Sequence, residues 1–176
     1  MSMCFLYNDV LYADCFQVHD YKNFAPSLTD NKIFISESGN VVIAIVGNVP
    51  ENIPDILERL ERAHEVWKAD KKAKKDFDSS MQTFNQIIIN IDVDMLAIFR
   101  TSAKKYFSLV TGPGDDGRVV NHSGSGSEAR LFTPTYVYAM LKAGMTPAQV
   151  FKGASQYKAI ISKEFTAYDL KKKKFI

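Results

Sequence analysis

At 176 residues the chain is the size of one domain and long enough to bury a core without disulfide or metal staples. Hydrophobic residues at 46% and charged residues at 24% are ordinary globular values, and a formal net charge of +2 gives no reason to invoke nucleic acid or an anionic membrane as partner. The opening Met1-Ser-Met-Cys-Phe-Leu-Tyr7 lacks a basic stretch leading into an apolar run and cleavage site, and nowhere do about 18 apolar residues follow one another, so we expect one cytosolic domain over residues 1–176.

The first predicted element is a β-hairpin. Two apolar-rich runs, 4–7 and 10–13, flank the turn-prone pair Asn8-Asp9. Polar residues and Pro26 then predict a loop from Cys15 to Asn31. Residues 32–35 and 41–46 read as strands joined at Ser38-Gly39-Asn40, and the second is so uniformly apolar that it belongs in the middle of its sheet. Gly47 closes it. Pro50 and Pro54 suit an early helical turn, after which Ile53, Ile56, Leu57, Leu60, Ala63 and Trp67 keep helical spacing.

Strand character returns at 86–91, 95–99 and 106–110, with turns at 92–94 and 112–117. Two helices follow. Thr133 caps the first, with Pro134 at its first position and Gly144 as its stop, and Thr146-Pro147 repeats the start signal. Strands, one helix, strands, then two helices is a blockwise order. It predicts an α+β fold in which two antiparallel sheets pack face to face with helices outside, because βαβ winding requires strict alternation.

Several constellations have bland readings. His19, His64 and His122 show no paired metal-ligand spacing with Cys4 or Cys15, and two cysteines are too few for a disulfide framework, so reduced thiols are expected. Asp92 and Asp94 lack the downstream Gly and Glu of a calcium loop, and Gly112, Gly114 and Gly117 lack the Lys-Ser/Thr of a phosphate loop. The lysine-rich runs at 71–75 and 171–174 read as a solvated helix end and a tail, with nucleic-acid contact the less favoured reading.

One ordered set of signals carries a family resemblance. A hairpin ends in Tyr12-Ala13-Asp14, Lys32-Ile33-Phe34 opens a later strand, an apolar strand ends at Gly47, and Ser123-Gly-Ser-Gly-Ser127 precedes the last helices. This order resembles the proteasome β subunits and their bacterial ATPase-partnered relatives, which are N-terminal-nucleophile hydrolases. The resemblance implies a four-layer αββα sandwich and a self-compartmentalised peptidase with no metal or organic cofactor. It also implies homo-oligomeric rings, six- or seven-membered and possibly stacked, acting on peptides or unfolded protein, with an ATPase unfoldase as a possible partner. A non-catalytic ring scaffold of the same fold is the alternative, and an amidase acting on small amides is a third reading.

The family's chemistry needs a hydroxyl on the first residue, whose free α-amine then serves as general base. Counting inward from a two-residue loop at Asn8-Asp9 places Ser2 in that role once Met1 is removed, whereas another loop length would shift the match towards Met3 or Cys4. By resemblance Asp14 anchors the site, and Lys32 is the ammonium that favours an ionised nucleophile and depresses the neighbouring amine's pKa. The alternative for both is an ion pair tying a loop to a sheet. Gly47 would offer an oxyanion-binding N–H, and Ser125 a hydrogen bond near the amine, against plain readings as a strand-to-helix turn and a helix-entry cap. The chain departs from the family at 163–168, where a later Asp, Ser and paired glycines have no counterpart, leaving Glu164 and Asp169 as unassigned carboxylates. Residues 128–130 read as a small insertion.

Overall fold

A computed structural model describes residues 3–20, 25–28, 31–70, 91, 93–102, 105–111, 118–122, 128–130, 134–157 and 161–176. Two five-stranded antiparallel sheets dominate it. The first runs β10 (Glu128–Arg130), β1 (Cys4–Tyr7), β2 (Val10–Asp14), β11 (Phe165–Asp169), β12 (Lys174–Phe175). The second runs β5 (Ile33–Ile35), β6 (Val41–Ile45), β7 (Met95–Ser102), β8 (Lys105–Thr111), β9 (Arg118–His122).

Side-chain alternation decides how the sheets stack. Cys4, Leu6, Leu11 and Ala13 of the first sheet meet Ile33, Val42, Ala44, Val46, Leu96 and Ile98 of the second in one buried cluster. The other face of the first sheet, with Met3 and Phe5, packs under α2 (Pro134–Lys142) and α3 (Pro147–Tyr157) through Val137, Leu141, Val150, Phe151 and Ala154. The other face of the second sheet, with Val41, Ile43 and Ile45, is covered by α1 (Ile53–Ala69) through Ile53, Ile56, Leu60 and Ala63. The order of layers is helix, sheet, sheet, helix, which is the predicted αββα sandwich. The apolar strand β6 is buried along its whole length, with β5 and β7 on either side, as its composition required.

Local signals explain the helix ends. Thr146 and Gln149 form a reciprocal capping box at the start of α3: the Thr146 amide donates to Gln149 Oε1 at 2.8 Å and the Gln149 amide to Thr146 Oγ1 at 3.3 Å. Gly144, at φ +88°, terminates α2, with its own amide bonded to the Leu141 carbonyl and that of Met145 to the Met140 carbonyl.

Three expectations change. The loop predicted for Cys15 to Asn31 contains a two-stranded antiparallel ribbon, β3 (Phe16–Asp20) and β4 (Ala25–Leu28). Pro26 is tolerated because a ribbon has only edge strands, and the register shifts between Val18 and Asp20. Residues 128–130, read in the sequence as a small insertion, form the edge strand β10, which gives β1 its second partner. Residues 165–169 form the interior strand β11, paired along the full length of β2. The predicted strand at 86–91 lies outside the described residues apart from Ile91, as do Thr133, Asp92, the lysines at 71–75 and the turn at 112–117.

Candidate functional site

The first structural requirement of the site is the register of β1 on β2. Tyr7 pairs with Val10 and Cys4 with Ala13, so Asn8-Asp9 is the two-residue loop that the sequence predicted. Both loop residues have positive φ, 49° and 63°, as a type I′ turn demands and as Asn and Asp tolerate. The pairing continues past the strand: the Asp14 amide donates to the Met3 carbonyl at 3.0 Å. Met3 itself is fully buried on the helix side, and Cys4 faces the inter-sheet core.

Asp14 ends β2 with no exposed side-chain surface. Its Oδ1 accepts from Lys32 Nζ at 3.3 Å and from the Met3 amide at 3.4 Å, and its Oδ2 accepts from the Ser162 amide at 3.3 Å. Lys32 immediately precedes β5 and is equally buried. Two contacts fix its backbone: its carbonyl accepts from the Ile45 amide at 2.9 Å, and Asn31 Oδ1 accepts from the Ile33 amide at 2.9 Å. The pair therefore spans the two sheets, with the carboxylate from one and the ammonium from the other.

Burial is the largest influence on both groups. It raises the Asp14 carboxyl above its ordinary range, opposed by the Lys32 ammonium and the amide donors of Ser162 and Met3. It lowers the Lys32 ammonium below its usual range, opposed by Asp14. Every donor on Asp14 is an N–H group that cannot accept, so the arrangement is satisfied by the carboxylate form. An ammonium held this way is a fixed positive charge that water does not screen, a feature of sites that tune neighbouring pKa values.

Gly47 lies at the same end of the second sheet. Ile33 pairs with Ala44, which sets Lys32 against Ile45, and Gly47 follows two residues later at φ +85°. A Cβ built there meets no atom within 4 Å, so the backbone conformation rather than space selects glycine. Of the five residues singled out in the sequence, Asp14 and Lys32 are in contact, and Gly47 follows two positions after Ile45, the residue set against Lys32. Ser2 and Ser125 lie outside the described residues.

Sequence reasoning missed Ser162. Its amide holds Asp14 Oδ2, its hydroxyl donates to Glu164 Oε2 at 2.6 Å, and it accepts from the Glu164 amide at 2.9 Å. The Cys15 amide in turn donates to the Glu164 carbonyl at 3.1 Å. The available signal was a Ser-x-Glu turn at 162–164. Asp169, the other unassigned carboxylate, sits at the far end of β11. There it caps the Lys171 and Lys172 amides and has no part in the Asp14 cluster.

Two facing antiparallel sheets clad by helices, with a buried Asp-Lys pair bridging one end, give the chain the fold of the proteasome-like N-terminal-nucleophile hydrolases. Among solved structures it is similar to eukaryotic HslV from Trypanosoma brucei (TM-score 0.54, 12% identity, 94% of this chain and 96% of that one). It is also similar to Anbu from Hyphomicrobium sp. strain MC1 (TM-score 0.57, 9% identity, 98% and 84%) and to Anbu, the ancestral β-subunit, from Yersinia bercovieri (TM-score 0.54, 9% identity, 95% and 79%). No sequence-family profile and no curated protein matches the chain. The resemblance drawn from the sequence is thus borne out at the level of fold. Among the described residues, no helix is long and apolar enough to cross a membrane.

Proposed function

We propose that this chain is a subunit of a proteasome-like, self-compartmentalised peptidase that uses Ser2 as its N-terminal nucleophile after removal of Met1. The observation that carries the reading is the buried Asp14–Lys32 pair at the end of the strand that leads back to the N-terminus. The register brings Met3, the residue that follows the proposed nucleophile, to Asp14: the Met3 amide donates to Asp14 Oδ1 and the Asp14 amide donates to the Met3 carbonyl. In this reading the Ser2 α-amine takes the hydroxyl proton as Oγ attacks the scissile carbonyl and passes it to the leaving peptide nitrogen as the C–N bond breaks. The amine then takes a proton from the water that attacks the acyl-enzyme and returns it to Oγ as the ester bond breaks. The Lys32 ammonium lowers the amine's proton affinity and stabilises the developing alkoxide, while the Gly47 amide receives the oxyanion. Asp14 orients Lys32, and Ser125 bonds near the amine.

Assembly belongs to the same proposal. Anbu from Pseudomonas aeruginosa, with which this chain shares a TM-score of 0.51 at 10% identity, was solved as a helical assembly, which supports a homo-oligomer. A six- or seven-membered ring, single or stacked and served by an ATPase unfoldase, would confine cleavage of unfolded protein. The test is direct: protein shown by intact mass to lack Met1 should cleave fluorogenic peptides. Ser2→Ala and Lys32→Ala should each abolish cleavage, with Ser2→Ala leaving assembly unchanged. Full activity in Ser2→Ala would end the assignment and make Cys4 the next residue to test. A correctly processed parent inert on every peptide and amide would replace the peptidase with the ring scaffold.

A further inference from the structure

The Asp14–Lys32 pair is supported from a third side by a segment that is remote in sequence. Residues 162–164 lead into β11, which lies beside β2, and four hydrogen bonds knit this short turn to the end of β2 and to itself. Two of them reach the site strand: the Ser162 amide to Asp14 Oδ2 and the Cys15 amide to the Glu164 carbonyl. The other two close the turn: the Ser162 hydroxyl donates to Glu164 Oε2 and accepts from the Glu164 amide. Ser162 is buried, whereas the Glu164 side chain is half exposed. The turn therefore runs from the floor of the site to solvent.

We infer that Ser162 and Glu164 are positioning residues for the proposed peptidase, holding Asp14 so that its Oδ1 faces Lys32. A carboxylate with one anchored oxygen has a single orientation, and here the anchor on Oδ2 leaves Oδ1 for the ammonium and the Met3 amide. The Ser162 amide can serve as that anchor only while the turn keeps its shape. That shape is set by the hydroxyl accepting from one Glu164 group and donating to another. Glu164 acts through Ser162, and Ser162 through Asp14; neither needs to touch substrate.

This inference rests on the peptidase reading for its kinetic test and is independent of it for its structural test. In the kinetic test, Ser162→Ala and Glu164→Ala lower kcat by roughly 10- to 100-fold, the scale of a small displacement in a site, with KM unchanged. Ser162→Thr, which keeps the hydroxyl, and Glu164→Gln, which keeps an acceptor oxygen, restore most of the rate. The acid limb of kcat moves to higher pH in Ser162→Ala, because a carboxylate that loses donors binds its proton more tightly. A parental kcat and an unmoved acid limb in Ser162→Ala overturn the inference. The second test needs no activity: thermal unfolding of Ser162→Ala, Asp14→Asn and the double variant. Losses in Tm that are clearly non-additive support the clamp, whereas additive losses overturn it even if the parent proves to be a peptidase. A parent without activity but with coupled Tm losses ends the peptidase reading and leaves the clamp standing.

Discussion

Outside the candidate site, His64 sits in an environment far from that of a free side chain. It is 2% exposed on the inner face of α1, with its ring parallel to Trp67 at 6.1 Å and tilted against Phe99 of β7 at 5.8 Å. Burial pushes its pKa down from 6.5 to about 4, aided by Lys68 and opposed by Glu61 and a hydrogen bond involving the Arg100 backbone. The sign follows from linkage. Between these two values the unfolded chain binds the extra proton and the folded one does not, so the contribution is complete above about pH 6.5 and is lost as pH falls towards 4. At about 1.4 kcal/mol per pH unit, roughly 2 kcal/mol is gone by pH 5, a fall in Tm of about 4–8 °C at this chain length. His64→Leu should remove that part of the difference in Tm between pH 7.5 and pH 5. Equal differences in parent and variant would show that acid sensitivity resides elsewhere. His64 also illustrates what residue type alone leaves open. The absence of metal spacing was legible, but whether the ring lay in the core or on the surface depended on Phe99, 35 residues downstream.

At the scale of elements, the β1–β2 hairpin matters most to the proposed site, since its register sets Met3 against Asp14. Asn8 and Asp9 occupy left-handed backbone, so Asn8→Val should cost about 1–2 kcal/mol while Asn8→Gly stays close to the parent. Chemical denaturation of the two variants separates these outcomes, and equal stability would mean that the turn does not set the register. The capping box at α3 gives a second expectation: Thr146→Ala should lose about 1 kcal/mol, because two amides lose their partner geometry at once. Both features were legible because each is a local pattern of two to four residues. The elements that escaped were of another kind. Strand β11 carries Thr166 and Asp169 among its apolar residues and becomes recognisable only once β2 lies beside it. Strand β10, at three residues, has no period to read and exists through its pairing with β1. Ser162 was missed for the same reason, since its partner Asp14 is 148 positions away.

For the whole molecule, the blockwise order of elements predicted two packed antiparallel sheets with helices outside, because each apolar face must find another, while the four-layer αββα order came with the family resemblance. Its consequence is that both outer faces are helical, α1 on one side and α2 with α3 on the other, so helical layers and sheet edges are the surfaces available to neighbouring subunits. Exposed large hydrophobic side chains among the described residues are Val66 on α1, Met145 after α2, and Phe175 and Ile176 at the β12 edge. The family resemblance implies a ring, and a head-to-tail interface, which uses two different surfaces on each subunit, closes into one when its rotation allows. We therefore expect the protein to sediment and scatter light as a closed homo-oligomer whose mass is a whole number of subunits and does not grow with concentration. A monomer mass at micromolar concentration would refute assembly, and a mass rising steadily with concentration would mean an open helical array. Ser2→Ala should leave that mass unaltered, whereas Leu6→Ala, which opens a cavity between the sheets, should cost about 2–5 kcal/mol and lower assembly and Tm together.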